Sequence, residues 1–398
     1  MGLREAYKNA KLRALEGEWV CLEVRAFDYS IDGVTKEEAD DWWELHKPEE
    51  VQIPELDLTV SDLRDIEDVL DLELGLKEAL AIAIPAFGGK ASHFSALTAI
   101  GEKVPTPKAF AIPVYYYWQF MEQNGFHEQI AEMLEDEEFK NDANVRSLRL
   151  QRLRDDMRSA PVDPEFQEAL LDKIEKDYLG IRMRFRSSTN SEDLGGFTGA
   201  GLYTSQSGDP NDEDFPVFDA VREVWSSVWN FRAFEERTYR SIDHHKVGMA
   251  LLVHNSFVDE EANGVALTSN PFDTSGMVPG FYINVQVGEA SVVQPSPEIT
   301  TDQFVYQFDM PNHPILFIAH SNLIPEGKTV LTNKQTYDLG VALKEIHKFF
   351  SPVYGRDSNQ WYAMDVEFKF DDLSSETPVL YVKQARPHFG WGQADDTN

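Results

Sequence analysis

The apolar pattern along the chain changes period several times, and each change predicts an element. From Ile181 to Phe185 apolar and polar positions alternate as in a short strand, which then breaks into Arg186-Ser-Ser-Thr-Asn-Ser-Glu-Asp and a glycine-rich run. Gly195, Gly196, Gly199 and Gly201 fall within seven positions. Glycines at this density let a backbone bend closely around a ligand and turn its N–H groups toward anions. Hydroxyls at Ser187, Ser188, Thr189 and Thr198 would complete a polyphosphate site; the competing reading is a solvated surface loop.

Upstream, helical periodicity runs through 115–124, 128–134, 143–157 and 163–177. Arg146, Arg149, Arg152 and Arg154 read there as a solvated or salt-bridged face. An apolar run from Ala81 to Phe87 ends in Gly88-Gly89-Lys90, and 91–100 reads as a helix with Phe94, Leu97 and Ile100 on one side. A lysine at such a helix start extends over a phosphate that the helix terminus also attracts, although the full Walker A spacing is absent. Residues 216–242 predict one long helix or two. Arg232, Arg237 and Arg240 either face a cleft or pair with Glu235 and Glu236.

The second half turns to strands. Residues 247–258 read as a core strand, 260–264 as a turn and 265–269 as its hairpin partner. Further strands are predicted at 282–287, ending in Gly288-Glu289, and at 304–308, with an amphipathic helix over 335–350. In the last pair, period two puts Asp365 and Glu367 on one face of 363–370, and Leu380, Val382, Gln384 and Arg386 on one face of the returning strand. Two carboxylates beside an amide and a guanidinium suit Mg²⁺ and phosphate, because Mg²⁺ prefers hard oxygens and arginine pairs with phosphate.

The pattern gives an α+β protein in three sections: an acidic accessory region over 1–78, a helical and mixed-strand lobe over 79–242, and a mainly antiparallel lobe over 243–398. Trp42 and Trp43 are expected to be buried cladding in the first section. Lys plus Arg number 36 against 69 Asp plus Glu, a net charge of -33, which argues against nucleic acid or an anionic membrane as partner. The lone Cys21 suits a reducing compartment. With no signal-peptide pattern and no long apolar run, a cytoplasmic location is expected.

The ordered set of motifs resembles the N-terminal nucleotide-binding domain of the phosphoenolpyruvate synthase and pyruvate, phosphate dikinase family, an ATP-grasp fold, over about residues 86–390. The resemblance rests on Gly88 to Lys90, Val104-Pro105, Arg186 to Gly201, Asn263-Gly264-Val265, Asn270-Pro271, Asp365 to Glu367, and Gln384 to Pro387. It implies that Lys90 and Arg186 hold ATP phosphates, that Thr198, Gly199 and Gly201 cover them, and that Val253, His254 and Asn255 border the adenine. It further implies Glu289 on the nucleotide side, Glu367 and Gln384 at the metal-bound phosphates, and Arg386 against the phosphoryl group in flight. His254 departs from the glutamine frequent in relatives.

Complete synthases and dikinases of that family carry a phosphohistidine domain and a barrel for pyruvate or phosphoenolpyruvate, and no carrier motif is found here. His93 belongs to the nucleotide motif, and His244 and His245 read as cap or surface residues. The expectation is therefore an ATP-dependent phosphotransferase module using Mg²⁺ and serving a histidine on a separate domain or subunit. The alternatives are a non-catalytic ATP-binding regulatory or scaffolding protein, or a dikinase module for a non-pyruvate acceptor.

Overall fold

The computed structural model describes residues 10–25, 28–48, 51–192, 199, 201–257, 260–273, 275–293, 295–355, 361–372 and 377–388. The front of the chain holds a short helix, Ala10–Arg13, a hairpin of β1 (Val20–Val24) and β2 (Tyr29–Gly33), and a helix, Lys36–His46, started by a Thr35/Glu38 capping box. Neither this hairpin nor this helix contains a fully buried residue. Trp42 is 58% exposed and stacks on His46, contrary to the expected burial, because a single hairpin and helix offer no second layer to cover it. Trp43 is half-buried against Tyr239.

Residues 51–74 behave differently from that front. Val51, Ile53, Leu56, Leu58 and Leu63 pack on one hydrophobic core, and Ile66, Val69 and Leu70 enter another. The expected accessory section is thus split, its latter part wrapped onto the body.

Two antiparallel sheets form that body. The first contains β3 (Arg64–Asp65), β4 (Ala109–Ile112), β5 (Met183–Thr189), β6 (Gln206–Gly208) and β7 (Met249–Asn255), in the order β3-β4-β7-β5-β6. Every pairing in it is antiparallel, so the expected mixed-strand lobe is corrected. The second contains β8 (Ala262–Leu267), β9 (Phe281–Val287), β10 (Asp302–Tyr306), β11 (Ile315–Ala319), β12 (Ala363–Asp371) and β13 (Val379–His388), in the order β11-β10-β9-β8-β12-β13. β7 and β8 are therefore not hairpin partners: β7 pairs with β4 and β5, and β8 with β9 and β12. Burial explains the separation. β7 is buried without interruption from Met249 to His254, with Leu251 and Val253 in one core and Leu252 in the other, whereas β8 alternates buried and half-buried residues.

Helices cover the first sheet on its outer side. Val114–Gln123, Phe126–Glu135, Ala143–Ser159, Pro164–Tyr178 and Val217–Ser226 bury Tyr117, Phe120, Leu153, Phe166 and Trp225 against Met183 and Phe185. The arginines of Ala143–Ser159 pair as a structural face: Arg146 with Glu235, Arg149 with Asp136 and Arg158 with Glu223. Against the second sheet lies helix Asn333–Tyr354, started by a Thr332/Gln335 capping box and burying Leu339, Leu343, Ile346 and Phe350 completely. Each such side chain contributes about 1.5–3 kcal/mol relative to exposure.

Helix Leu76–Thr98 joins the two sheets and breaks in its middle. Gly88 sits at φ 72 and ψ 170, and a Cβ there would lie 2.2 Å from the Ser188 carbonyl oxygen, so only glycine lets β5 approach this closely. Ser188 stitches the break: its hydroxyl donates to Phe87 O at 2.7 Å and accepts from the Ala91 N–H at 2.9 Å. Among the described residues no helix is long and apolar enough to cross a membrane.

Candidate functional site

The broken helix and β5 place the first two expected residues side by side. Beyond Gly88 the helix resumes, and Lys90 reaches back to β5, where its Nζ donates to Ser187 O at 2.7 Å and Ser187 Oγ at 3.0 Å. Glu192 lies 3.4 Å from the same ammonium and accepts from the Thr189 N–H at 3.1 Å, which fixes the end of β5. The strand runs four residues further than alternation of apolar residues predicts. Ser187 and Ser188 are consequently strand residues tied to Lys90 and the helix, rather than hydroxyls of an open loop.

Arg186 bridges the two sheets. Its Nη1 donates to Lys383 O at 2.8 Å, and its Nη2 donates to Glu367 Oε2 at 2.9 Å and Gln384 Oε1 at 2.8 Å. Glu367 and Gln384 face each other across the β12–β13 ladder, as do Asp365 and Arg386, whose Nη2 donates to Asp365 Oδ2 at 2.7 Å. Burial opposes ionisation of Glu367, but Arg186, Lys383, Arg386 and Lys90 outweigh it and hold the carboxyl down to about 2. All of these cations therefore act on one carboxylate.

A β-bulge sets this arrangement, and it corrects the expected facing of β13. Glu367 pairs with Gln384 while Phe368 pairs with Val382, so Lys383 is the extra residue. Leu380 and Val382 face the core with Phe370 and Phe368, whereas Gln384 and Arg386 face the cleft with Glu367 and Asp365. Strict period two would have put all four together. The bulge also frees the Lys383 carbonyl to receive Arg186.

Next to this cluster is a cavity of about 410 Å³ between the sheets. Arg182 and Arg184 line it from the β5 side, His254 from the end of β7, Lys369 from β12 and Lys383 from β13. Glu260 and Glu289 add carboxylates, and Phe257 is the one aromatic wall. His254 is 1% exposed; its Nδ1–H donates to Asn255 O at 2.7 Å, and its Nε2 has no partner. Burial, then the nearby Arg186, pushes the imidazole well below its ordinary range. Val253 turns its side chain into the core and Asn255 is half-buried, and neither of these two expected residues lines the cavity.

Of the glycine-rich loop, Thr198 lies outside the described residues. Gly199 is buried with φ 64, and Gly201 is exposed with φ 67, both in the left-handed region that glycine favours. Behind the loop, buried Arg237 donates to Val228 O at 2.8 Å and Tyr203 OH at 3.3 Å. It supports the loop end rather than a cleft. His93 is buried, with its Nδ1–H donating to Gly89 O at 2.7 Å and its Nε2 accepting from Tyr354 OH, and burial lowers it to about 4. His244 stacks on Phe234, and His245 is exposed, so neither lines the cleft cluster.

Among the described residues no three His, Cys, Asp or Glu side chains form a metal cage. Glu367, Asp365 and the Gln384 oxygen fit a Mg²⁺ held through one or two carboxylates and completed by phosphate and water. Arg184, Lys369, Lys383 and Glu260 line the neighbouring cavity without having been expected there. Arg184 and Lys369 were discoverable by continuing the alternation from Arg186 and Glu367; Lys383 depends on the bulge.

Residues 84–398 match the family described as "Pyruvate phosphate dikinase, AMP/ATP-binding domain". The chain is 27% identical to a "Probable phosphoenolpyruvate synthase" of Methanothermobacter thermautotrophicus, over 81% of this chain and 46% of that protein. It is 26% identical to the "Phosphoenolpyruvate synthase" of Aquifex aeolicus, over 79% of this chain and 39% of that protein. The chain thus spans less than half the length of these relatives. A solved D-alanyl-alanine synthetase A from Vibrio cholerae shares 10% identity at a TM-score of 0.25, covering 56% of this chain and 46% of that one, which bears no weight for the fold.

Proposed function

Because this chain belongs to the pyruvate phosphate dikinase AMP/ATP-binding domain family, we propose that it binds Mg-ATP between its two sheets in an ATP-grasp arrangement. In this reading it passes a phosphoryl group to a histidine on a separate domain or subunit, as a module related to phosphoenolpyruvate synthase. The observation that carries the reading is the meeting of Lys90 and Arg186 with Glu367, Gln384 and Arg386 around one strongly acidic carboxylate.

Phosphoryl transfer asks mainly for positioning and for positive charge around the phosphate oxygens. Mg²⁺ supplies charge neutralisation of the phosphates, and Glu367 with Gln384 would hold it. Arg186, carried by β5 and fixed by its guanidinium bonds to β12 and β13, orients the phosphates with little freedom left to lose. Lys90 approaches from the helix side, and Arg386, held by Asp365, offers its guanidinium to the group being moved. Gly199 and Gly201 belong to the covering loop, and Glu289, with the His254 and Asn255 region, borders the rest of the nucleotide.

Calorimetry with Mg-ATP on the full chain, beside Arg386→Ala, tests the reading. Product analysis with a phosphohistidine acceptor then reads the chemistry: AMP plus phosphate marks dikinase-type transfer, and ADP an ordinary kinase. Absence of Mg-ATP binding in the wild-type chain would sink the proposal.

A further inference from the structure

The break in helix Leu76–Thr98 falls two residues before Lys90, where Gly88 leaves helical geometry at φ 72 and ψ 170. Two side chains from the following turn brace the backbone there. Ser92 Oγ donates to Gly88 O at 2.7 Å, and His93 Nδ1–H donates to Gly89 O at 2.7 Å. With its proton on Nδ1, the His93 ring presents a bare Nε2. That nitrogen accepts from the hydroxyl of Tyr354, the last residue of helix Asn333–Tyr354 and 261 positions away in sequence.

Packing alone does not call for this arrangement. His93 is 1% exposed, with the Phe350 and Tyr354 ring centroids 6.0 and 5.7 Å from its own. An apolar ring in that slot would avoid the cost of burying two nitrogens, whereas a fully satisfied buried polar network fixes one geometry. What it fixes here is the backbone one residue before Lys90. The far end of Lys90 belongs elsewhere: its Nζ rests on Ser187 of β5, close to Glu192, with the side chain 11% exposed. Tyr354 ends the helix whose Leu339, Leu343 and Ile346 share a core with Phe368 of β12 and Val382 of β13. Lys90 therefore has its tip on the first sheet and its base tied to the body that carries Glu367, Gln384 and Arg386.

We propose that His93 and Tyr354 are positioning residues for Lys90, the Tyr354 hydroxyl orienting the imidazole that holds the Gly89 carbonyl. Neither side chain touches the phosphates, and both act through Lys90. The inference rests on the nucleotide reading, in which Lys90 meets the ATP phosphates, and adds that the helix over the second sheet sets where that ammonium stands. A lysine tip is carried on a flexible four-carbon stem, so a fixed base leaves it less freedom to lose when a phosphate arrives. Burial, opposed by the bond to Gly89, lowers His93 to about 4, which keeps the ring neutral and Nε2 free of a proton near neutral pH.

The test is calorimetry on the full chain with Mg-ATP and with adenosine, beside acetylation of Lys90 by an amine-reactive ester in the absence of nucleotide. Tyr354→Phe is expected to weaken Mg-ATP about three- to tenfold and His93→Phe about tenfold, with adenosine held within about twofold. His93→Gln, whose amide keeps a donor and an acceptor, should stay within about threefold of wild type. In a Lys90→Ala chain, His93→Phe should change Mg-ATP affinity by less than about twofold, because a residue acting through Lys90 has nothing left to place. Lys90 should acetylate faster, by about threefold, in Tyr354→Phe and His93→Phe. Lys176, with 71% of its side chain exposed, should keep its wild-type rate, which separates local release from a damaged fold. Wild-type binding of Mg-ATP, with affinity and Lys90 labelling unchanged in both variants, sinks this inference alone. So does a loss that adenosine shares, that persists in full without Lys90, or that His93→Gln shows as strongly as His93→Phe. Faster Lys90 labelling in both variants without any Mg-ATP binding by the wild type sinks the nucleotide reading alone.

Discussion

Arg186 and Arg184 leave β5 on the same side, separated by two residues of strand rise, about 7 Å, and meet opposite surroundings. Arg186 enters a cluster in which each cation has a carboxylate: Lys90 with Glu192, Arg186 with Glu367, Arg386 with Asp365. Arg184 enters a cavity in which the cations outnumber the acids. The first region is preassembled by its own ion pairs, which join strands almost two hundred positions apart in sequence. The second sets four lysine and arginine side chains against two glutamates. One region is tied by its charges, and the other is kept unsatisfied by them.

The largest effect that would break this contrast is on stability. Arg186→Ala removes the guanidinium between the sheets and leaves Glu367 and Gln384 without it, so a loss of about 3–5 kcal/mol is expected, as for one partner of a buried pair. Arg184→Gln removes a repelling charge, and the urea unfolding midpoint should stay level or rise, within about 1 kcal/mol. Equal destabilisation by the two variants would show that the regions do not differ as described.

Ligand affinity gives the next effect in size. Lys90→Ala removes a charged donor at the phosphate end, worth about 1.5–3 kcal/mol, or roughly 10–100-fold in Mg-ATP affinity. Adenosine affinity should stay within twofold in the same calorimetric series. Parallel loss of both would remove Lys90 from the phosphate side.

The two regions were unequally legible in the sequence. Lys90, Arg186, Glu367, Gln384 and Arg386 could be singled out because each stands in a local motif, and the structure brings the other four near the Glu367 carboxylate. The helices over the first sheet followed from strong periodicity, as in Pro164–Tyr178, where Asp163 caps the start. What stayed hidden depended on contacts distant in sequence. The uninterrupted burial of β7 places it between β4 and β5, although the following turn suggested a local hairpin. The bulge at Lys383 shifts the facing of β13 by one residue, a change no alternation rule contains. Trp42 misled in the opposite way, since an apolar side chain in a small front section found no layer to cover it.

Acid stability sharpens the comparison at its smallest scale. Glu367 is held at about 2 against an ordinary 4.5, because the surrounding cations outweigh its burial. A carboxyl lowered on folding contributes stability that is fully present above its unfolded value and disappears as pH falls through the folded one. Wild-type stability should therefore decline between about pH 5 and 2 on account of this group, and Glu367→Gln should lack that part of the decline. A third of the side chain is exposed, and solvent screening reduces the contribution to the order of 1 kcal/mol. Urea midpoints of the two proteins should differ at pH 6 and converge toward pH 2. Should the gap persist undiminished at pH 2, packing around Glu367 rather than its charge would hold Arg186 in place, and the outer cluster would no longer differ from the cavity by its ion pairs.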